Sequence, residues 1–107
     1  MVARFDIFLL NLDERVSKDA KNTRPCLILS PDEMNDNIGS VIVAPVSSAA
    51  DHRYPTRLPV TILNAERSII LDQLRTVDKD RLVKKIGELD TASRKDVLDR
   101  LQELFAE

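Results

Sequence analysis

Arg24 stands in the run Thr23-Arg24-Pro25, where a polar stretch gives way to an apolar one. A guanidinium there would present a planar fork of donors that fits phosphate oxygens, and it would stay charged throughout. Taken alone, the tripeptide establishes only an arginine where a loop enters a strand, and an ordinary surface arginine fits it as well. Two hydroxyls, Ser47 and Ser48, follow Pro45-Val46 and could hydrogen-bond the same kind of oxygen. Cys26 and His52 are the only cysteine and the only histidine. A lone cysteine excludes an intramolecular disulfide and a thiolate zinc site. In Pro25-Cys26-Leu27-Ile28-Leu29 it reads as a small buried hydrophobe. His52 has a useful pKa, but any metal site would need carboxylates, and no clustered pattern of them is present. Two glycines in the whole chain exclude a Gly-rich phosphate loop.

The charge is small but uneven. A net charge of −2 and an isoelectric point of about 5.4 argue against broad, charge-driven binding to nucleic acid. Between residues 75 and 85, however, five bases face two acids, whereas residues 90–107 hold five acids and three bases. That asymmetry allows a locally positive face on an acidic protein. Arg53, Arg75, Lys79 and Arg81 are candidates for phosphate contacts, each weighed against a solvated surface charge. Gln73 and Asn35 are candidates for reading a base edge.

The elements that must hold these residues are mostly strands. Residues 6–12 are rich in large apolar side chains and read as a strand. Residues 13–23 hold only Val16 and Ala20 as apolar residues and read as a long loop. A second strand spans 25–30, followed by a short helical turn with Ser30 as its cap and Pro31 at its first position. Val41-Ile42-Val43-Ala44 is a buried strand ending at Pro45, and residues 47–55 form a second polar loop. Residues 57–60 suit an edge strand because of Pro59. Residues 68–72 form another buried strand, extending toward Leu74, and Thr76-Val77 pairs further. A tight turn at 78–81 precedes a last strand around 84–88. Asp90 then caps a helix in which Val97, Leu98, Leu101, Leu104 and Phe105 share one apolar face.

A chain of 107 residues points to one domain spanning 1–107. Its apolar fraction of 43% and charged fraction of 32% are ordinary for a globular protein. No apolar stretch approaches the roughly 20 residues that span a bilayer, and the N-terminus lacks a secretory pattern. The expected location is the cytoplasm. Many short strands followed by one amphipathic helix predict a mainly β fold, a small antiparallel barrel with a C-terminal helix packed on it.

The order of these segments resembles the MazF/PemK family of bacterial toxins. The likeness runs over most of the chain. It is carried by Phe5-Asp6-Ile7 with Asn11-Leu12-Asp13, by Thr23-Arg24-Pro25 with Ser30-Pro31, and by Val41-Ile42-Val43-Ala44-Pro45. Tyr54-Pro55-Thr56-Arg57 adds to it, and Leu71-Asp72-Gln73-Leu74-Arg75-Thr76-Val77-Asp78-Lys79 with Arg81-Leu82 is its strongest segment. The resemblance implies an SH3-like barrel that forms a homodimer. It also implies sequence-specific cleavage of single-stranded RNA without a metal or other cofactor, inhibition by a cognate antitoxin, and contact with operator DNA only through the antitoxin complex.

Cleavage of that kind uses the neighbouring 2′-OH as nucleophile and leaves a 2′,3′-cyclic phosphate and a 5′-OH. It needs a base for the 2′ proton, a donor for the crowded phosphorane and an acid for the leaving oxygen. It is confined to RNA by the 2′-OH itself. By position, Arg24 matches the motif arginine and would stabilise the phosphorane. Ser47 takes the place of a usual threonine, with Ser48 adjacent. Asp19 stands where the loop usually carries a glutamate and would orient Arg24 or act as base. Asp72 is a second candidate base, and Gln73 a candidate RNA contact. The loop departs from the family pattern at Glu14, Ser17 and Lys18.

Two other classes compete. A CcdB-like toxin on the same fold binds DNA gyrase and cleaves nothing, but that branch depends on a tryptophan near its C-terminus, and this chain has none. A degenerate member would bind only antitoxin and operator DNA, which the departures in the loop keep open.

Overall fold

The computed structural model describes residues 1–13, 22–48 and 54–106. Among them seven strands follow in chain order: β1 (Asp6–Asn11), β2 (Thr23–Ile28), β3 (Ser40–Ser47), β4 (Arg57–Ile62), β5 (Ala65–Ile70), β6 (Arg75–Asp78) and β7 (Leu82–Glu88). A short helix, α1 (Asp32–Asn37), separates β2 from β3, and a longer one, α2 (Thr91–Phe105), follows β7. Every pairing is antiparallel, in the order β4-β5-β3-β2-β1-β7, with β6 also on β3. The sheet curls into a half-barrel, the mainly β class with a C-terminal helix that the residues predict. Slips of register between Ile7/Phe8 and Leu9/Leu10, where β1 meets β7, are irregularities of the kind that bends a sheet.

β3 organises the sheet. One edge pairs with β2. The other pairs first with β6, from Ser40↔Asp78 to Val43↔Arg75, and then with β5, at Val46↔Ile69 and Ser47↔Ser68. Two sequence expectations change here. The strand does not stop at Pro45. That proline sits at the change of partner, where the far edge has no rung to lose, so its missing N–H is tolerated. The strand predicted over 68–72 instead ends at Ile70, and Leu71–Gln73 form a 3-10 turn. Leu71 is fully buried, and its N–H donates to the Thr56 carbonyl at 2.8 Å. Leu74 N–H then closes back on the Leu71 carbonyl at 3.3 Å, leaving Asp72 and Gln73 facing outward.

β4 lies at the end of the sheet, as Pro59 led us to expect. It runs to Ile62 and joins β5 through Leu63-Asn64, whose φ values of 53° and 60° give the doubly left-handed turn that favours hairpins. No glycine announced this turn. Ser30 is not the cap of α1. The residue preceding the helix is Pro31, which offers no side-chain cap. Ser30 is buried, donates to Asn35 Oδ1 and accepts from Ile42 N–H at 3.0 Å, so it ties β2, α1 and β3 together. Asn35 is likewise buried and returns a bond to the Ser30 carbonyl at 3.0 Å, which turns its amide inward rather than toward a base.

Both faces of the sheet are buried, as the near-continuous apolar runs of its central strands imply. Ile7, Leu27, Ala44, Val46, Ile69 and Leu89 pack on one side with Val97 of α2. Leu10, Cys26, Ile28, Val41, Val43 and Val77 form a second cluster. The alternation of Leu27 against Cys26 and Ile28 along β2 is the period-2 signature of this arrangement. Asp90 caps α2 as expected, its carboxylate accepting from Ser93 N–H at 3.1 Å. The apolar face of α2 is only partly used: Val97 is buried, but Phe105 is 72% exposed. Among the described residues no helix is long and apolar enough to cross a membrane.

Candidate active site

β2 and β3 bring Arg24 and Ser47 together. Their ladder pairs Ile28 with Val43, Leu27 with Ala44 and Cys26 with Pro45. Carried two residues further, the same register sets Arg24 across from Ser47. Beyond that last rung the strands part, since β3 turns to β5 and Arg24 pairs with Leu10 of β1. The opening so formed is a cleft of about 510 Å³.

Arg24, Ser47, Arg57, Gln73 and Arg75 supply the polar wall of the cleft. Leu10, Cys26, Val43 and Ile70 supply an apolar floor. Three guanidiniums and no carboxylate line it among the described residues. An anion entering such a site gains from Arg24 and Arg75, and less from Arg57, whose charge Asp72 offsets, and the low-dielectric floor strengthens the attraction. Gln73 and Arg75 reach the wall through the 3-10 turn and the Val43↔Arg75 pairing.

Arg57 carries no role in the sequence reading, although it ends the run Tyr54-Pro55-Thr56-Arg57. Its only signal there is charge at the start of a strand. In the fold its Nε lies 3.5 Å from Asp72 Oδ1, and its guanidinium sits 5.3 Å from the centroid of the Tyr54 ring. Asp72 itself does not line the cleft. It is exposed and pairs with Arg57.

Cys26 lies in the floor, fully buried. Burial pushes its thiol up to about 12, against smaller opposing pulls from a main-chain hydrogen bond at Phe8 and the Arg75 charge. A thiol so raised stays protonated and takes no part as a nucleophile.

The remaining sequence candidates are dispersed. Arg81 donates from Nε and one Nη to the Asn11 carbonyl, at 3.0 and 2.8 Å, and lines no part of the cleft. Lys79 is half-buried in the 3-10 turn before β7, and Ser48 is exposed just past β3; neither lines the cleft. Asp19 and Arg53 fall outside the described residues, as do His52, Glu14, Ser17 and Lys18. Among the described residues no three His, Cys, Asp or Glu side chains are grouped so as to hold a metal ion.

The family described as PemK-like, MazF-like toxin of type II toxin-antitoxin system matches residues 3–105. Endoribonuclease EndoA of Bacillus subtilis is 29% identical over 107 residues, covering 95% of this chain and 92% of that protein. Endoribonuclease MazF of Staphylococcus saprophyticus is 29% identical over 102 residues, 91% and 85% of the two chains. Among solved structures, MazE-MazF from Deinococcus radiodurans matches with a TM-score of 0.79 at 23% identity, covering 98% of this chain and 95% of that one. An endoribonuclease in complex with its cognate antitoxin, from a mycobacterial species, matches with a TM-score of 0.78 at 18% identity, covering 96% and 93%. The two solved structures share the fold, and the match over 3–105 settles the family: this chain belongs to the PemK-like, MazF-like toxins of type II toxin–antitoxin systems.

Proposed function

We propose that this chain is a sequence-specific endoribonuclease, the toxin of a type II pair, acting on single-stranded RNA in the cytoplasm. The observation that carries the reading is the cleft that Arg24, Arg57 and Arg75 line together with Ser47, with no carboxylate among the described residues of its wall. The names of the relatives, both endoribonucleases, support it.

The substrate's own 2′-OH attacks the adjacent phosphorus and expels the 5′ oxygen of the next nucleotide. A 2′,3′-cyclic phosphate and a 5′-OH result. Arg24 donates to the non-bridging oxygens as charge builds on them, and Ser47 hydrogen-bonds the same phosphate. Asp72 pairs with Arg57, and Asp19 and Asp72 are the two candidates for the base. Gln73 and Arg75 bind flanking RNA. No cofactor enters these steps. The active form is a homodimer, held inactive by a cognate antitoxin and reaching operator DNA only through that complex. A small core makes self-association physically reasonable.

The test is incubation of purified, antitoxin-free protein with a long single-stranded RNA in EDTA, beside Arg24→Ala. Site-specific cuts are expected from the parent protein. The variant should lose on the order of 3 kcal/mol of transition-state stabilisation, about a hundredfold in rate. Intact RNA after incubation with the parent protein would overturn the reading.

A further inference from the structure

We propose that Tyr54 and Arg57 form a stacking subsite for one nucleobase beside the scissile phosphate, an inference that rests on the endoribonuclease reading. Tyr54 is the chain's only tyrosine, and the chain has no tryptophan. Its residue is 51% exposed. The turn that carries it is pinned from three directions. Arg57 N–H donates to the Tyr54 carbonyl at 3.0 Å, Arg100 of α2 donates to the Pro55 carbonyl at 2.8 Å, and Leu71 N–H donates to the Thr56 carbonyl at 2.8 Å. The Arg57 guanidinium, 5.3 Å from the ring centroid, orders the ring further. An exposed aromatic ring held in one place loses little entropy when a base stacks on it.

Arg57 is shared between two openings. On one side it lines the cleft with Arg24 and Arg75. On the other it joins Tyr54 along a groove of about 580 Å³ bordered by Asp96, Asp99, Arg100 and Glu103 of α2. The two sides suit the two halves of a nucleotide. A phosphate is drawn to the three guanidiniums and repelled by the carboxylates. The base can cross to Tyr54, where its exocyclic donors meet carboxylate oxygens of α2, Asp96 and Asp99 already sharing theirs with Arg100 and Lys95. Unstacked bases of single-stranded RNA are commonly held in this way, on an aromatic ring or a guanidinium plane.

The test measures binding with no cleavage step. The probes are fluorescein-labelled, fully 2′-O-methylated oligonucleotides of about 12 nucleotides, one set with bases in mixed sequence and one abasic throughout. Tyr54→Ala should weaken binding of the first set roughly five- to hundredfold, and Tyr54→Phe should stay within about twofold of the parent. On the abasic set all three proteins should bind alike. Circular dichroism melting confirms that the variants fold. Equal binding of the based probes by Tyr54→Ala would overturn the subsite, as would an equal loss on both sets. If the parent cleaves RNA but shows no Tyr54 effect, only the subsite falls. A Tyr54 effect without cleavage removes the endoribonuclease reading and keeps the base-binding site. Absence of any binding to the probes by the parent overturns the subsite, and the cleavage assay alone then decides the endoribonuclease reading.

Discussion

Arg81 grips the main-chain carbonyl of Asn11, 70 positions earlier, with two hydrogen bonds of 3.0 and 2.8 Å. Asn11 is buried at the end of β1 and pairs with Thr23, the neighbour of Arg24. Its side-chain oxygen accepts from Asp13 N–H at 2.9 Å, and Leu12 N–H donates to the Asn22 carbonyl at 2.9 Å. Arg81 thus fastens the strand ends from which Arg24 projects. Replacing it with alanine should cost about 1–3 kcal/mol of stability. Urea unfolding checks this. A phosphate-binding arginine would instead leave stability alone and lower the salt dependence of RNA binding.

Ser47 tests how much a methyl group matters at the phosphate. Ser47→Ala removes the hydroxyl donor and should lower the cleavage rate about ten- to a hundredfold without moving the melting temperature by more than a few degrees. Ser47→Thr keeps the hydroxyl and restricts its rotation, so its rate should equal or exceed the parent's. Single-turnover cleavage of one mapped RNA site measures all three. An alanine variant as fast as the parent would remove Ser47 from the chemistry.

The Cys26 thiol links stability to alkaline pH. Its folded value, about 12, exceeds the ordinary 9.0 because burial disfavours the thiolate. Below pH 9 both folded and unfolded chains hold the proton, and this stabilisation is complete. As pH rises from 9 toward 12 the unfolded chain releases it first. Stability then falls by roughly 1 kcal/mol per pH unit. Cys26→Ala should lack that decline, and urea titrations of both proteins between about pH 8 and pH 10 compare the slopes. The native thiol should also resist alkylation until the chain is unfolded.

Asp90 offers a cleaner measure of helix packing. Its carboxylate accepts from both the N–H and the hydroxyl of Ser93, at 3.1 and 3.0 Å. Asp90→Ala should cost about 1 kcal/mol, and Asp90→Asn or Asp90→Ser much less. A loss far above that, seen in denaturant midpoints, would mean that α2 docks through the cap as well as through Val97.

Local features were legible before the fold was known. Asp90 announces its helix because a carboxylate ahead of an apolar 3.6-residue repeat has few other uses. Pro59 places its strand at an edge because it lacks a donor. The apolar run Pro25-Cys26-Leu27-Ile28-Leu29 marks a strand with Cys26 buried in it. Arg24 was legible as chemistry through residue type and the motif around it. These signals work because each rests on interactions within a few residues along the chain.

Partners far apart in sequence required the closed sheet. The 3-10 turn at Leu71–Gln73 exists because β3 exchanges β6 for β5 at that point. Ser30 serves Asn35 and Ile42 rather than a helix end because the interior must satisfy its hydroxyl. Arg81 and Arg75 look alike as sequence, two bases in one run, yet one braces Asn11 and the other lines the cleft. Arg57 joins that wall only because β4 pairs with β5 and brings Asp72 beside it. A residue's type limits the chemistry it can perform. Which carbonyl, carboxylate or phosphate it meets depends on strand register, and register is set by burying both faces of the sheet at once.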